Sequence, residues 1–412
     1  MWNRRFICLW AGQTLANLGD VFYIVAFISV MYAATDSVMY TAFIPVVNVT
    51  AQSLSSFLAP LVFQHLSLQR MLVLSQGLKT ILLGIASIVV AMGVGEQKLV
   101  IWLLFGLAAM IAFMDGWANP ARNALVPRLV DRSELMRANG LLATSDQTVH
   151  FAGWAAGGLL VAWLGASAVL LGTVGAYVVA TVAMLGVAPA KDGKKEEDNQ
   201  SESRQAKTNW LTGWRIIRDT PTLQLLVAMD IVVGMSGAAW IAAILLPFVL
   251  DELGRSEAWW GYINAGYMLG AIAGGSVLLM LAHRLKRHLY KAITIGTICS
   301  SLITFAFGSS THPIVALLFS FLLGPFLEMF LVSKQTILQQ QTEESALPYV
   351  LSAKGTIDMM VFGVSSLIMG AFAEWMGTRA VYFLSAGFLI VGFLLACKLY
   401  QHANKRSSAS IS

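Results

Sequence analysis

Charge is scarce in this chain. Asp, Glu, Lys and Arg make up 12% of its 412 residues, against 57% hydrophobic residues. One or two soluble domains have no room to hide that much apolar surface. Cysteine is rarer still: Cys8, Cys299 and Cys397 stand apart from one another in apolar surroundings. They support neither a disulfide framework nor a thiolate metal cluster. No His, Cys, Asp and Glu grouping has metal-ligand spacing, so no metal and no cofactor is expected. A glycine loop ending in Lys-Ser or Lys-Thr is missing, which removes the ATPases. No other constellation marks an enzyme.

Long hydrophobic runs are what the chain has instead. Twelve can be read, at roughly 6–34, 39–65, 71–94, 99–120, 138–164, 166–188, 222–249, 258–282, 289–309, 313–335, 350–376 and 379–400. Each reaches the ~20 apolar residues that a membrane helix needs. They are too long and too continuously apolar for barrel strands. The reading is an all-α membrane protein with twelve transmembrane helices. Of the 27 lysines and arginines, Lys79 lies inside a span, and Lys98, Arg255 and Arg379 fall in odd-numbered loops. The rest occupy the termini, the even-numbered loops and the span ends that adjoin them. That bias puts both termini in the cytoplasm. The net charge of +5 is thus a topology signal with no nucleic acid implied, and the basic loops are placed to touch anionic membrane lipid.

One long polar break interrupts the pattern. Residues 191–205 (KDGKKEEDNQSESRQ) are almost free of apolar side chains. Trp210, Trp214, Ile216 and Ile217 follow, interleaved with Arg215 and Arg218, as in a short amphipathic interfacial helix. Pro221 then opens the seventh span, a position that proline tolerates. The expected organisation is an N-terminal six-helix bundle at 1–190, a cytoplasmic linker at 191–214, and a C-terminal bundle at 215–412 ending in a short cytoplasmic tail.

The two bundles repeat each other. Thr144, Asp146, Val149, Gly158, Trp163 and Gly165 recur as Thr356, Asp358, Val361, Gly370, Trp375 and Gly377 at one constant offset without a gap. Arg122 meets Lys334 at the same offset, and Asp115 falls one residue out of register with Glu328. Tandem membrane halves with charge at matching positions are the sequence form of a secondary transporter whose site lies between its repeats.

The charges inside the spans are the candidate site. An ionised group at mid-depth costs ~2.5–3.5 kcal/mol on insertion scales, so such residues face the bundle interior and mark function. Asp20 sits near the middle of the first span, with Gln13 and Asn17 on the same helical face and Tyr23 beside it. Low dielectric favours the neutral form of a carboxyl, so an acid at this depth suits proton exchange. Asp20 is the first candidate for proton coupling. Asp115 and Glu328 are the next, with pairing to Arg122 and Lys334 as the structural alternative. Lys79, Asp146, Asp230 and Asp358 each fall about two turns in from the cytoplasmic start of a span. Lys79, Arg122, Asp146, Lys334 and Asp358 read as a charge network that holds one conformation closed, with Lys79 paired to Asp146 or Asp358. Gln13, Asn17, Tyr23, Phe27, Asp230 and Trp240 are the candidate substrate contacts. Gly266, Gly270 and Gly274, one per turn, mark a closely packed helix.

Three stretches carry a family resemblance. WAGQTLANLGD at 10–20, NPARNALVPRLVDRSELMRANGL at 119–141 and SKQTILQQQTEESALPYVLS at 333–352 resemble the first helix and the two matching loops of the macrolide-efflux-type drug:proton antiporters of the major facilitator superfamily. The likeness covers nearly the whole chain. It departs at loop 2/3, where Gln64 stands in place of an aspartate, and in span 5, where Trp154 replaces the proline of the exporter motif. The resemblance implies two pseudo-symmetric six-helix bundles with a cavity lined by spans 1, 4, 7 and 10. It also implies a multi-pass, monomeric protein of the cytoplasmic (inner) membrane. The expected function is proton-coupled efflux of small amphipathic organic substrates by alternating access. The alternatives are a transporter dedicated to one metabolite, such as a siderophore, sugar or lipid, and a membrane protein that kept the bundle and lost transport.

Overall fold

The computed structural model describes residues 2–35, 38–92, 98–187, 211–240, 242–286 and 288–409. The polar break at 191–205 and the rest of the linker up to residue 210 lie outside them. Among the described residues the regular structure is entirely helical. Six helices come before the break: α1 (Arg4–Thr35), α2 (Val38–Phe63), α3 (Leu68–Ala91), α4 (Lys98–Leu129), α5 (Leu135–Leu164) and α6 (Ala166–Leu185). After it come α7 (Thr212–Asp219), α8 (Pro221–Gly237), α9 (Ala242–Pro247), α10 (Ala258–Leu285), α11 (Leu289–Ser309), α12 (Pro313–Gln341), α13 (Leu347–Met376) and α14 (Thr378–Ala409).

Eleven of the helices are long and apolar enough to cross a membrane. The twelfth crossing is α5, which at 30 residues spans about 45 Å at 1.5 Å per residue. Its stretch Thr144-Ser145-Asp146-Gln147-Thr148 lowers its hydropathy. The short α7 is amphipathic, with Gly213 and Ile217 buried and Arg215, Arg218 and Asp219 exposed. The seventh crossing is discontinuous: α8 gives way to a 3-10 turn at Ala238–Trp240, then to α9 and a π-helical turn at Phe248–Glu252.

The repeat is visible in the backbone. Gly165 (φ 82°) joins α5 to α6 and Gly377 (φ 85°) joins α13 to α14. Both occupy a region of backbone space that only glycine enters cheaply. Two residues before each, Trp163 and Trp375 are 78% and 79% exposed, as suits aromatic residues at a membrane boundary.

The chain forms two compact units. Unit 1 comprises Met1–Asp131, Val149–Trp214 and Glu344–Thr356, and unit 2 comprises Arg132–Thr148, Arg215–Glu343 and Ile357–Ser412. The division cuts across the halves 1–190 and 215–412 at two helix starts. The first residues of α5 pack in unit 2, where Asn139 Nδ2 donates to Gln339 Oε1 at 2.7 Å and to Thr336 Oγ1 at 3.0 Å. The first residues of α13 pack in unit 1, where Ser352 Oγ donates to the Ser56 carbonyl at 3.0 Å.

The core of unit 1 gathers Tyr23, Phe27, Met31, Leu83, Leu104, Ile111 and Tyr177 from α1, α3, α4 and α6. Gly153 and Gly157 of α5 let that helix close on Val21 and Val25 of α1. The core of unit 2 is aromatic, with Phe248, Phe307 and Tyr382 mutually packed at 4.8–5.2 Å. The glycine row of α10 meets α12, where a Cβ at Gly266, Gly270 or Gly274 would overlap Leu317, Phe321 or Pro325. That row is a packing surface.

Candidate functional site

Unit 1 buries a cluster of four side chains from four helices. Asp20 stands midway along α1, Lys79 midway along α3, Asp115 just past the middle of α4 and Tyr177 in the second half of α6. Lys79 Nζ donates to Asp20 Oδ1 at 2.6 Å and to Asp115 Oδ1 at 2.5 Å. Tyr177 Oη donates to the same Asp20 oxygen, and its ring centroid lies 5.0 Å from Lys79 Nζ. Side-chain exposure is 1% for Lys79, 12% for Asp115 and 20% for Asp20. α1 and α6 can approach this closely because Gly19 places bare backbone against the Tyr177 ring.

Two carboxylates share one lysine, so the fully ionised cluster carries one surplus negative charge. Such a charge in a low-dielectric interior is costly. Binding one proton removes it. Next to the cluster, Tyr23 donates to Asn48 Oδ1 at 2.6 Å, and Asn48 Nδ2 donates to the Ile44 carbonyl at 3.0 Å. One turn toward the N-terminus, Gln13 Nε2 donates to Asn17 Oδ1 at 2.8 Å. Gln13 Oε1 is buried without a hydrogen-bond partner among the described residues.

Unit 2 holds a simpler pair. Lys334 of α12 forms an ion pair with Asp230 of α8, each side chain 5% exposed. The lysine head lies 4.9 Å from the Phe330 ring centroid. Glu328 of α12 keeps clear of that lysine and accepts from Gln147 Nε2 at 2.9 Å.

Several expectations are corrected here. Lys79 pairs with Asp20 and Asp115, not with Asp146 or Asp358. The reason is helical: α3 begins at Leu68, earlier than the apolar run suggests, which brings Lys79 to the helix middle. Asp115 pairs with Lys79 instead of Arg122, and Glu328 pairs with Gln147 instead of Lys334. Tyr23 and Phe27 are each 1% exposed and lie in the core of unit 1. Trp240 packs into the aromatic core of unit 2, 4.6 Å from the Phe307 ring. Asp230 is committed to its lysine. Arg122, Asp146 and Asp358 are half-buried and each engaged with a neighbour.

Tyr177, Gln147 and Asn48 are functional neighbours that the sequence does not single out. Tyr177 is the sole aromatic in an otherwise aliphatic span, a faint signal that hydropathy does not register.

Residues 9–324 and 231–411 match the family model of the Major Facilitator Superfamily. The chain belongs to this superfamily. It is 28% identical to the MFS-type transporter YfmI of Bacillus subtilis (strain 168), with 94% of each chain covered. It is 22% identical to the multidrug efflux pump Tap of Mycolicibacterium fortuitum, covering 94% of this chain and 93% of that one. Among solved structures it resembles the E. coli fucose:proton symporter FucP, with a TM-score of 0.75 at 16% identity over 96% of this chain and 98% of that one. A bacterial homologue of the iron transporter ferroportin matches with a TM-score of 0.74 at 13% identity, over 97% and 100%. At such identities the structural matches speak for the fold. Superfamily membership, spanning helices and transporter relatives together make this a multi-pass membrane protein of a transporter family, which is not an enzyme class.

Proposed function

We propose that this protein is a secondary transporter of the cytoplasmic membrane that exports small amphipathic organic compounds in exchange for protons. Both termini would lie in the cytoplasm. The repeated halves would alternate access to a substrate site, with Asp20, Lys79 and Asp115 as the coupling centre. One observation carries the reading: three ionisable groups in contact inside unit 1 hold two acids against one base. The proton gradient supplies the drive, and each charge crossing the potential contributes ~2.3 kcal/mol per 100 mV. Glu328, with a single amide donor, is a second carboxyl able to exchange a proton. The polar stripe Gln13, Asn17 and Asp20 on α1, with its unpartnered Gln13 oxygen, offers a substrate hydrogen-bonding groups. The distant likeness to the pump Tap agrees with drug efflux.

The test is efflux of a fluorescent cationic dye from everted vesicles under an imposed pH gradient. Asp115→Asn and Asp20→Asn each make the cluster neutral without a proton. Both are expected to lower gradient-driven efflux at least tenfold while leaving passive exchange measurable. Full gradient-driven efflux in both variants would remove the cluster from the mechanism. A second reading, transport of one dedicated metabolite, is favoured by Trp154 standing where the exporter motif has proline. Strict selectivity across unrelated dyes would support it.

A further inference from the structure

The four groups of the unit 1 cluster are not equivalent, and their geometry divides the labour. Asp20 Oδ1 accepts two hydrogen bonds, one from the Lys79 ammonium and one from the Tyr177 hydroxyl. Asp115 Oδ1 accepts one, from the same ammonium. Hydrogen bonds to the ionised form of a carboxyl hold it ionised. Asp115 is also the less exposed acid, with a side chain 12% exposed against 20% for Asp20. Poorer solvation favours the neutral form. Donor count and burial therefore agree.

We infer that Tyr177 is a positioning residue that keeps Asp20 ionised and assigns the exchangeable proton of the cluster to Asp115. This rests on the proton-coupling reading above and deepens it. In the loaded state Asp115 is a neutral acid, and Lys79 with Asp20 forms a neutral ion pair held by the tyrosine. Release returns the Asp115 carboxylate to the shared lysine. Among the described residues nothing else ionisable intervenes. Besides Asp20 and Asp115, the groups that α1, α3, α4 and α6 bring to the cluster are Lys79, Tyr23 and Tyr177. Tyr23 is occupied by Asn48 of α2. Tyr177 is itself fully buried, so its hydroxyl has no competing water contact. Its ring is fixed between Gly19 and the lysine head.

The experiment uses Tyr177→Phe in the full chain, which keeps the ring and removes only the donor. Gradient-driven dye efflux is measured across pH, with infrared difference spectra between acid and alkaline samples. The parent should show one protonated-carboxyl C=O band. In Tyr177→Phe the Asp20 anion loses a donor, so the cluster binds its proton more tightly. A proton shared about equally between the two acids moves the midpoint of the pH profile up by about 0.3 unit, and a second C=O band should appear as Asp20 begins to share the proton. A thermal melt close to the parent's controls for folding. Gly12→Ala, which adds a Cβ against Ala180 and Met184 and leaves the Tyr177 hydroxyl in place, serves as the contrasting packing defect and should lower the melt without the second band. A parent-like pH profile and spectrum in Tyr177→Phe, or two bands already in the parent, would overturn the assignment. If Asp115→Asn and Asp20→Asn lose gradient drive while Tyr177→Phe behaves as the parent, only the role of the tyrosine fails. If neither Asn variant loses it, the coupling reading itself fails.

Discussion

The buried charges of the two units use one device to different ends. Each takes an aspartate from the first long helix of its half, Asp20 from α1 or Asp230 from α8, and joins it to a buried lysine. In unit 2 one acid meets one base, with an aromatic ring beside the ammonium. In unit 1 a second acid, Asp115, reaches the same lysine from α4. Its counterpart near the matching place, Glu328, takes an amide donor instead. One carboxylate thus separates a self-neutral strut from a centre with a charge left over. The turn glycines of the repeat, Gly165 and Gly377, share nearly the same φ. The charge laid on the repeat is not symmetric, and in unit 1 the surplus charge is itself a reason to bind a proton.

The lysines test this contrast most severely. Lys79→Met would leave two buried carboxylates facing each other, and breaking a buried ion pair costs about 3–5 kcal/mol. Lys334→Met leaves a single acid that one proton can neutralise, so its loss belongs at the lower end, about 3 kcal/mol. Thermal unfolding in detergent should rank Lys79→Met below Lys334→Met. An equal or reversed order would mean that the two clusters are energetically alike.

A second comparison should show equality. Gly165→Ala and Gly377→Ala each force a side chain into the same unfavourable backbone region, at a cost of about 1–3 kcal/mol. Nothing lies near either glycine for an added Cβ to strike, so backbone strain alone acts at both. Unfolding midpoints that differ strongly between the two variants would show that the repeat is not structurally equivalent at its turns.

The smallest effect is expected at Glu328→Gln, which keeps a partner for Gln147. Stability should change by no more than about 1.5 kcal/mol. Gradient-driven efflux should persist with a shallower pH profile, as befits a second exchanging acid. Abolished efflux would move the coupling centre into unit 2.

Much of the fold is legible in the order of residues, because hydrocarbon imposes local demands. Every crossing must satisfy its own backbone within ~20 apolar residues, so the runs, the polar break and the lysine and arginine bias can be read one segment at a time. The turn glycines are local too, since a positive φ concerns one residue. Even the existence of a charge site is legible, because Asp20, Lys79 and Asp115 are too costly in apolar spans to be incidental. Their partnership is another matter. Lys79 meets acids 59 and 36 residues away, on helices whose rotation about their own axes leaves no trace in hydropathy. One misplaced turn at the start of α3 was enough to point the lysine at the wrong aspartates. Tyr23, Phe27 and Tyr177 look alike as aromatic residues in a span, yet two fill the core and one also holds a carboxylate. Composition can say that a charge must be compensated, but packing in three dimensions decides which neighbour does it.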